Sequence, residues 1–531
     1  MGYEMNETTN AKKYILAIDH GTSAMKVALA DQCGEVLAFE YEDTPLYLFP
    51  DGGAEQDPDE WWAALIKSSK RLLSKNLVPI DDIVAVSVSS QWSGTVPVNE
   101  NGDHLFNAII WMDSRGEPYI KKKNRGIINI SGYGIMNILR SLRISGGAPA
   151  GAGKDPIAHI LFLKNEHPDI YNSTYKFLEP KDYLNLRLTG EFAASYDSIM
   201  LHWVTDTRDI NNVHYSPYMI KKMGVDKDKL PKLMSSVDIL GSLKSEVAAE
   251  IGLREGTQVV VGSPDLQSAV IGSGAVLDFE GHIYIGTSSW ITCHVPFKKT
   301  DISHNMASVP SSIPGKYFIA NEQETAGGCL KWVRDQILHI DDPSKVENPE
   351  VYREFDTIAE NSPPGSNGLI FTPWLYGERT PVEDHELRGG FHNMSLNIQK
   401  QDILRAIFEG VAFNSRWLFE LVEKFIKRKM DPVNIIGGGA QSDIWCQIYA
   451  DVLNRTIRQV KDPIMANARG AAFIAAVGLG LCRFEDIPEL VQYSKTFTPN
   501  PENRELYDAL FKEFINIYKN SKDLSHRLNK L

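Results

Sequence analysis

Two stretches in which apolar positions flank the same small polar turn organise this chain. In the first, Tyr14-Ile-Leu-Ala-Ile-Asp-His-Gly-Thr-Ser-Ala-Met-Lys-Val-Ala-Leu-Ala30, an apolar run of strand length leads into a bend, and a second apolar run is closed by Cys33-Gly34. The pattern predicts strand, tight turn, strand. A Walker loop or a dinucleotide fingerprint runs from strand into helix instead, so the element after the turn separates this motif from both. The bend gathers groups that suit phosphate. Gly21 lets the backbone come close to an anion, the hydroxyls of Thr22 and Ser23 and the turn N–H groups face its oxygens, Asp19 suits a hydrated magnesium ion, and Lys26 adds positive charge. About half a chain later, His282-Ile-Tyr-Ile-Gly-Thr-Ser-Ser-Trp-Ile-Thr-Cys293 repeats the device with Gly286, Thr287 and Ser288 at its bend. Asp-x-Gly-Thr also occurs in ordinary turns, but recurrence at half a chain length reads as a duplicated domain whose two hairpins clamp one nucleotide.

Between the hairpins the pattern alternates helix and strand. Asp57 followed by Pro58, Asp59 and Glu60 is a helix start, with a cap, a proline in the first turn and acids at the positive end of the dipole; the helix runs to about Lys75. Ile83 to Ser89 reads as a strand that delivers Gln91, Trp92, Ser93 and Gly94 to its C-terminal end, where open α/β sheets place ligands. The Gly/Ala/Pro loop from Gly146 to Gly153 reads as mobile, bordering a cleft. Val259-Val-Val261 ends at Gly262-Ser-Pro-Asp265, where the domain boundary is expected, and a small-residue helix follows at Ala269 to Gly274. In the second half, Asn434-Ile-Ile-Gly-Gly-Gly-Ala-Gln-Ser-Asp443 leads from a strand through three glycines into a helix capped near Ser442 or Asp443. Bare backbone there admits a planar ring, although a tight strand-to-helix turn would use the same residues. Gln401 to Lys429 reads as a helix that buries Trp417, Phe419 and Phe425, and a charged amphipathic helix, packed on the outside, follows Pro499.

Composition narrows the classes. A chain of 531 residues, 43% hydrophobic, can build two cores. A net charge of −13 argues against nucleic acid as a partner, since such proteins show a basic face. The basic run Lys121 to Arg125 reads as a solvated helix end. No stretch approaches the roughly 18 apolar residues of a membrane span; Gly470 to Cys482 reads as a closely packed buried helix. Met1 to Lys13 is polar without a signal-peptide core, so a cytoplasmic protein is expected. The five cysteines, Cys33, Cys293, Cys329, Cys446 and Cys482, lie far apart with no metal-ligand spacing and are expected to be buried thiols.

Taken in order, Asp19-His-Gly-Thr-Ser23, Glu55-Gln-Asp-Pro-Asp-Glu-Trp-Trp62, Trp111-Met-Asp-Ser-Arg115, Pro180-Lys-Asp-Tyr-Leu184 with Leu188-Thr-Gly-Glu191, Ile285-Gly-Thr-Ser288, Gly377-Glu-Arg-Thr-Pro381 and Gly437-Gly-Gly-Ala-Gln-Ser-Asp443 resemble the FGGY carbohydrate kinases, most of all the xylulokinase branch. The resemblance spans Tyr14 to about Leu481. It implies an α/β fold of two actin-like (ribonuclease H-like) ATPase domains with a nucleotide and sugar cleft between them. Residues 13–262 would form the N-terminal domain, binding sugar and phosphate, and 263–531 the C-terminal domain, carrying the base and ATP, after a disordered N-terminus at 1–12. It implies that Asp265 is the catalytic base, although a helix cap after Pro264 explains the same residue locally. It further implies ATP and Mg2+ as cofactors, with Asp19 facing the metal. Gly21, Thr22, Ser23, Lys26, Gly286, Thr287 and Ser288 would face the phosphates, and Gly438, Gly439 and Ser442 would lie under adenosine with help from Gly327 and Gly328. Domain closure, hinged near Gly146 and Gly262, and a homodimer are expected by the same analogy.

The sugar pocket departs from the pattern. Xylulokinases usually carry Met-His after the glutamine and glycerol kinases Arg-Glu, whereas Gln91 here precedes Trp92 and Ser93. Leu266 follows the base where a polar residue is usual, and His20 replaces a leucine or glutamine. An unpaired hydroxyl in a closed site costs roughly 1–3 kcal/mol, so the pocket should favour a differently arranged ligand or compensate with water and His159. The resemblance therefore implies a small-molecule sugar or polyol as partner, D-xylulose first. Ribulose, glycerol and gluconate stay open, as does a non-catalytic sugar sensor on the same fold.

Overall fold

The computed structural model describes residues 12–130, 132–338 and 350–530. The disorder expected at 1–12 falls, up to residue 11, outside the described residues; Lys12 is described and pairs with Asp31 at 3.1 Å. The chain divides into two compact units, one of residues up to Gly272 with Pro310–Gly315 and Asn467–Leu490, the other of Ser273–Val309, Lys316–Ala466 and Val491–Leu531.

The first unit is built on a six-stranded sheet. Strands β1 (Tyr14–His20) and β2 (Ala24–Asp31) form the expected antiparallel hairpin, with Asp19 opposite Lys26. Next come β3 (Val36–Asp43), helix α1 (Pro58–Leu73), β4 (Ile83–Ser90), α2 (Pro156–Glu166), α3 (Pro180–Thr189), β5 (Ile239–Ser242), β6 (Gln258–Pro264) and α4 (Asp265–Gly272). The sheet order is β5, β6, β4, β1, β2, β3. The Asp57 side chain caps α1 by accepting the Asp59 N–H at 2.8 Å, and Trp61, Leu65 and Leu72 on its inner face join Leu16, Ile18, Val27 and Val86 in one core.

The second unit carries β7 (Gly281–Ile285), β8 (Ser289–Thr292), α5 (Gly327–Val333), α6 (Lys400–Ile426), β9 (Val433–Ile436), α7 (Asp443–Leu453), β10 (Ile457–Val460), β11 (Tyr493–Phe497) and α8 (Arg504–Leu528). Its five-stranded sheet runs β8, β7, β9, β10, β11. The two sheets repeat one topology. In each, a hairpin's first strand pairs in parallel with the next long strand, which pairs in parallel with a further one, and an antiparallel strand closes that side.

Several sequence expectations are revised. A domain boundary at 262/263 would place Asp265 in the second domain, whereas α4 stays in the first unit. It continues directly from β6, and Gln267 donates to the Pro310 carbonyl at 3.1 Å. The helix Ala466–Gly478 also packs on α4, so closely that a Cβ at Gly470 would lie 1.8 Å from the Ser268 carbonyl oxygen. Gly470→Ala is therefore expected to destabilise this unit by about 1–3 kcal/mol, read as a lower melting temperature. The loop at Gly146–Gly153 is anchored rather than loose: Asn124 and Tyr133 both donate to the Pro149 carbonyl at 3.0 Å. Cys33 is exposed and Cys482 partly so, while the other three thiols are buried. The tail helix α8 enters the core, because Tyr507 is fully buried and donates to Glu409 at 2.8 Å. Among the described residues no helix is long and apolar enough to cross a membrane.

Candidate active site

In the first unit the strand ends come together by register. Asp19 of β1 lies beside Ser89 of β4, which lies beside Ser263 of β6, and one step on His20, Ser90 and Pro264 are aligned. Asp19, the Gln91–Gly94 segment and Asp265 therefore leave the same edge of one sheet, β1 and β6 standing about 10 Å apart across β4. Asp265 is half-buried at the start of α4, and its Oδ1 accepts the Leu266 N–H at 2.7 Å. Leu266 beside it is also partly exposed. Asp19 is 3% exposed, with Oδ2 at 3.3 Å from the Lys26 ammonium and Oδ1 accepting from Asn467 at 3.3 Å. Both contacts are long for charge-assisted bonds, so the carboxylate keeps acceptor capacity toward a hydrated cation.

The turn itself is clamped from below. The Gly21 N–H donates to the Ala24 carbonyl at 2.9 Å, closing the hairpin. The Thr22 hydroxyl donates to Gln91 Oε1 at 3.2 Å and accepts the Trp111 indole N–H at 3.0 Å. Its proton thus has an acceptor within the protein. Ser23 is exposed at the bend. Gln91 gives its amide N–H groups to Gln56 Oε1 at 2.7 Å and His20 Nε2 at 3.3 Å, and Gln56 donates to the Thr22 carbonyl at 2.8 Å. Gln91 therefore braces the turn from the same segment that was expected to meet the sugar. His20 is fully buried against Trp61, and burial pushes its pKa down to about 3, so it stays neutral and accepts.

Other sugar-pocket residues are held as firmly. The half-buried Trp92 donates its indole N–H to the Ser198 carbonyl at 2.8 Å. Ser93, at φ +66°, donates to the Lys154 carbonyl at 2.9 Å. His159 was expected to compensate at the pocket, but it is 0% exposed on a helix whose residues Pro156–Leu163 are all buried. Its Nδ1 pairs with the Thr95 hydroxyl at 3.2 Å, and burial pushes its pKa down to about 4. It belongs to the core behind the segment.

In the second unit the loop before α5 lies along the second hairpin. The Ala326, Gly327 and Gly328 N–H groups donate to the carbonyls of Thr287, Gly286 and Thr287 at 2.8, 2.8 and 3.1 Å. Gly327 thus spends its N–H on the turn, and a Cβ there would lie 2.5 Å from the Gly286 oxygen; glycine is needed for the approach itself. Ser288 and Thr287 remain at the bend. Glu378 is buried, accepting the Glu324 and Arg379 N–H groups at 3.0 and 2.9 Å and the Asn414 amide at 2.6 Å. Burial raises its pKa to about 7. Of the three glycines after β9, Gly438 is exposed with open space where a Cβ would stand, whereas Gly439 packs on Ile285. Ser442 caps α7 by accepting the Trp445 N–H at 3.2 Å and donates to Asp356 at 2.7 Å; burial raises the Asp356 pKa to about 6. Asp356 and Asn467 escape motif reading because their roles arise only from the fold, and Gln56, although inside the Glu55–Trp62 motif, shows its contact with the turn only there.

Residues 14–272 match the N-terminal domain, and residues 281–479 the C-terminal domain, of the FGGY family of carbohydrate kinases. The chain belongs to that family. It is 31% identical to a xylulose kinase of Bacillus subtilis over 97% of this chain and 99% of that protein. Among solved structures, a gluconate kinase from Lactobacillus acidophilus superposes with a TM-score of 0.83 at 25% identity over 98% of this chain and all of that one. A ligand-bound xylulose kinase from the same organism gives 0.82 at 25% identity over 97% and 100%. The protein is accordingly a carbohydrate kinase, a phosphotransferase with an alcohol acceptor that uses ATP and a small-molecule sugar, built from two actin-like, ribonuclease H-like domains.

Proposed function

We propose that the enzyme transfers the γ-phosphoryl group of ATP to a hydroxyl of a ketose, D-xylulose, with Asp265 as general base. The observation that carries this reading is the shared sheet edge from which Asp19, the Gln91–Gly94 segment and Asp265 all emerge. A carboxylate at the head of a helix, partly open and facing the same edge as a phosphate-type turn, is placed to take the proton of the attacking hydroxyl. The loose transition state asks the protein mainly for alignment and charge stabilisation. Backbone N–H groups of the Gly21–Ser23 turn, the Ser23 hydroxyl and the Lys26 ammonium serve the transferred group in the first unit, and Gly286, Thr287 and Ser288 serve it in the second. Magnesium, when bound, neutralises charge on the phosphate oxygens, and Asp19 is the residue that holds it. Gly438 offers bare backbone to the adenine ring, with Ser442 and Asp356 beside it. Ser442→Ala removes both the cap and the Asp356 partner, so it is expected to raise KM for ATP by about 3–10-fold, roughly one hydrogen bond's worth, with kcat nearly unchanged.

Full-length similarity to a xylulose kinase supports the ketose. Trp92-Ser93 in place of Met-His, together with the TM-score of 0.83 to a gluconate kinase, keeps D-gluconate as the second reading. Steady-state kinetics on D-xylulose, D-ribulose, glycerol and D-gluconate separate them. D-xylulose is expected to give the highest kcat/KM by at least about tenfold, the low end of what differential transition-state binding supplies. A higher value for gluconate overturns the ketose assignment and leaves the phosphotransfer chemistry standing. Assembly as a homodimer is part of the same proposal, tested by the mass of the protein in solution.

A further inference from the structure

The strand that carries Asp265 is broken just before its end. β6 pairs Val260 with Ser87 and then Ser263 with Ser89, so that Val261 and Gly262 together face Val88. This is a β-bulge, a device that bends a strand and redirects the side chains beyond it. Gly262 sits at φ +73°, and a Cβ there would lie 2.1 Å from the Val88 carbonyl oxygen. A bulge takes backbone groups out of the ladder, and here they have dedicated partners. The Val261 and Gly262 N–H groups donate to the Asp238 and Ser236 carbonyls at 3.0 and 2.9 Å. The Val261 carbonyl accepts from the Lys181 ammonium at 3.1 Å and the Asn185 amide at 2.8 Å, both on α3. Lys181, 1% exposed, is ion-paired with Asp182, 0% exposed. The second Asp182 oxygen accepts the Ser198 hydroxyl at 3.1 Å, and the Ser198 carbonyl is the acceptor for Trp92.

Stability does not account for two charges in this place. Desolvation offsets the attraction of a buried pair, and apolar residues of the same volume are commonly as stable or more so. What the charges add is direction. Two donors converge on one carbonyl four residues before Asp265. Two residues after it, Gln267 Oε1 accepts the Ser312 N–H at 2.5 Å, and the Ser312 hydroxyl donates to Asp197 at 2.8 Å. The candidate base therefore sits between two fixed points.

We propose that the Lys181–Asp182 pair and Asn185 are positioning residues for phosphoryl transfer. They hold the Val261–Gly262 bulge so that Asp265 keeps one aim, and through Ser198 they tie that aim to Trp92. The inference rests on the reading of Asp265 as base, and none of the three residues touches substrate. Lys181→Met combined with Asp182→Asn removes both charges while keeping volume; Asn185→Ala, which leaves the ion pair intact, is the second variant should the first not fold. With the full-length protein and the sugar that the native enzyme phosphorylates, kcat is expected to fall about 10–100-fold in the first and about 3–10-fold in the second, as for a base displaced by an ångström or less. KM values and the acidic limb of the kcat–pH profile should stay in place. In an Asp265→Asn background the same changes should cause no further loss of the residual rate, because residues that act through one group are not additive. An unchanged kcat per folded molecule, or an undiminished loss in the Asp265→Asn background, overturns the proposal. A native enzyme that phosphorylates no sugar contradicts the kinase reading itself, shows this in the unmutated control, and takes the proposal with it.

Discussion

Asp265→Ala is expected to lower kcat by about 10²–10⁴-fold, the usual worth of a positioned general base, while the melting temperature and both KM values change little. The carboxylate is half-buried at the head of α4, where it accepts a hydrogen bond from the Leu266 N–H. Losing that acceptor costs the protein about 1 kcal/mol, as for other helix-start residues. Asp265→Asn sharpens the test, since it keeps the shape and the acceptor oxygen but not the basicity; it should be as inactive as alanine. A kcat within tenfold of native in either variant would mean that Asp265 is only a cap.

Asp19→Ala is expected to lower kcat/KM for Mg-ATP by about 10–100-fold and to raise the magnesium concentration needed for half-maximal rate, as for residues that hold a hydrated metal. The substitution strips Lys26 of a carboxylate at 3.3 Å and Asn467 of an acceptor at the same distance. Lys26 is about one-third exposed, so its loss of a partner is softened by solvent. Lys26→Met is the matched control, for it should lower the rate without moving the magnesium requirement. If Asp19→Ala leaves the magnesium titration unchanged, the carboxylate serves only to hold Lys26.

Local patterns were enough to reveal the hairpins. Strand-length apolar runs around Asp19-His-Gly-Thr-Ser23 and Ile285-Gly-Thr-Ser288 have few other solutions, and the cap at Asp57 is equally local. The ordered motifs reached the family for the same reason, each being a short stretch with its own backbone demand. What stayed hidden depends on partners far along the chain. Nothing near Thr22 shows that its hydroxyl is committed to Gln91, and nothing near Gln91 shows that its amide is spent on Gln56 and His20. His159 looked available because a helix buried on every side has no amphipathic stripe to place it. The membership of α4 in the first unit rests on contacts with Pro310, Ser312 and Gly470, all remote in sequence. The Lys181–Asp182 pair lay inside a recognised motif, yet its purpose follows only from the bulge it grips.

In the proposed reaction phosphate leaves ATP for a sugar hydroxyl under the control of one carboxylate, Asp265. The direct test incubates native protein and Asp265→Ala with γ-labelled Mg-ATP and D-xylulose, then quantifies labelled sugar phosphate beside ADP. One labelled sugar phosphate per ADP from the native enzyme, and neither product above background from the variant, is the predicted result. ADP without labelled sugar, or equal labelling by both proteins, would contradict it.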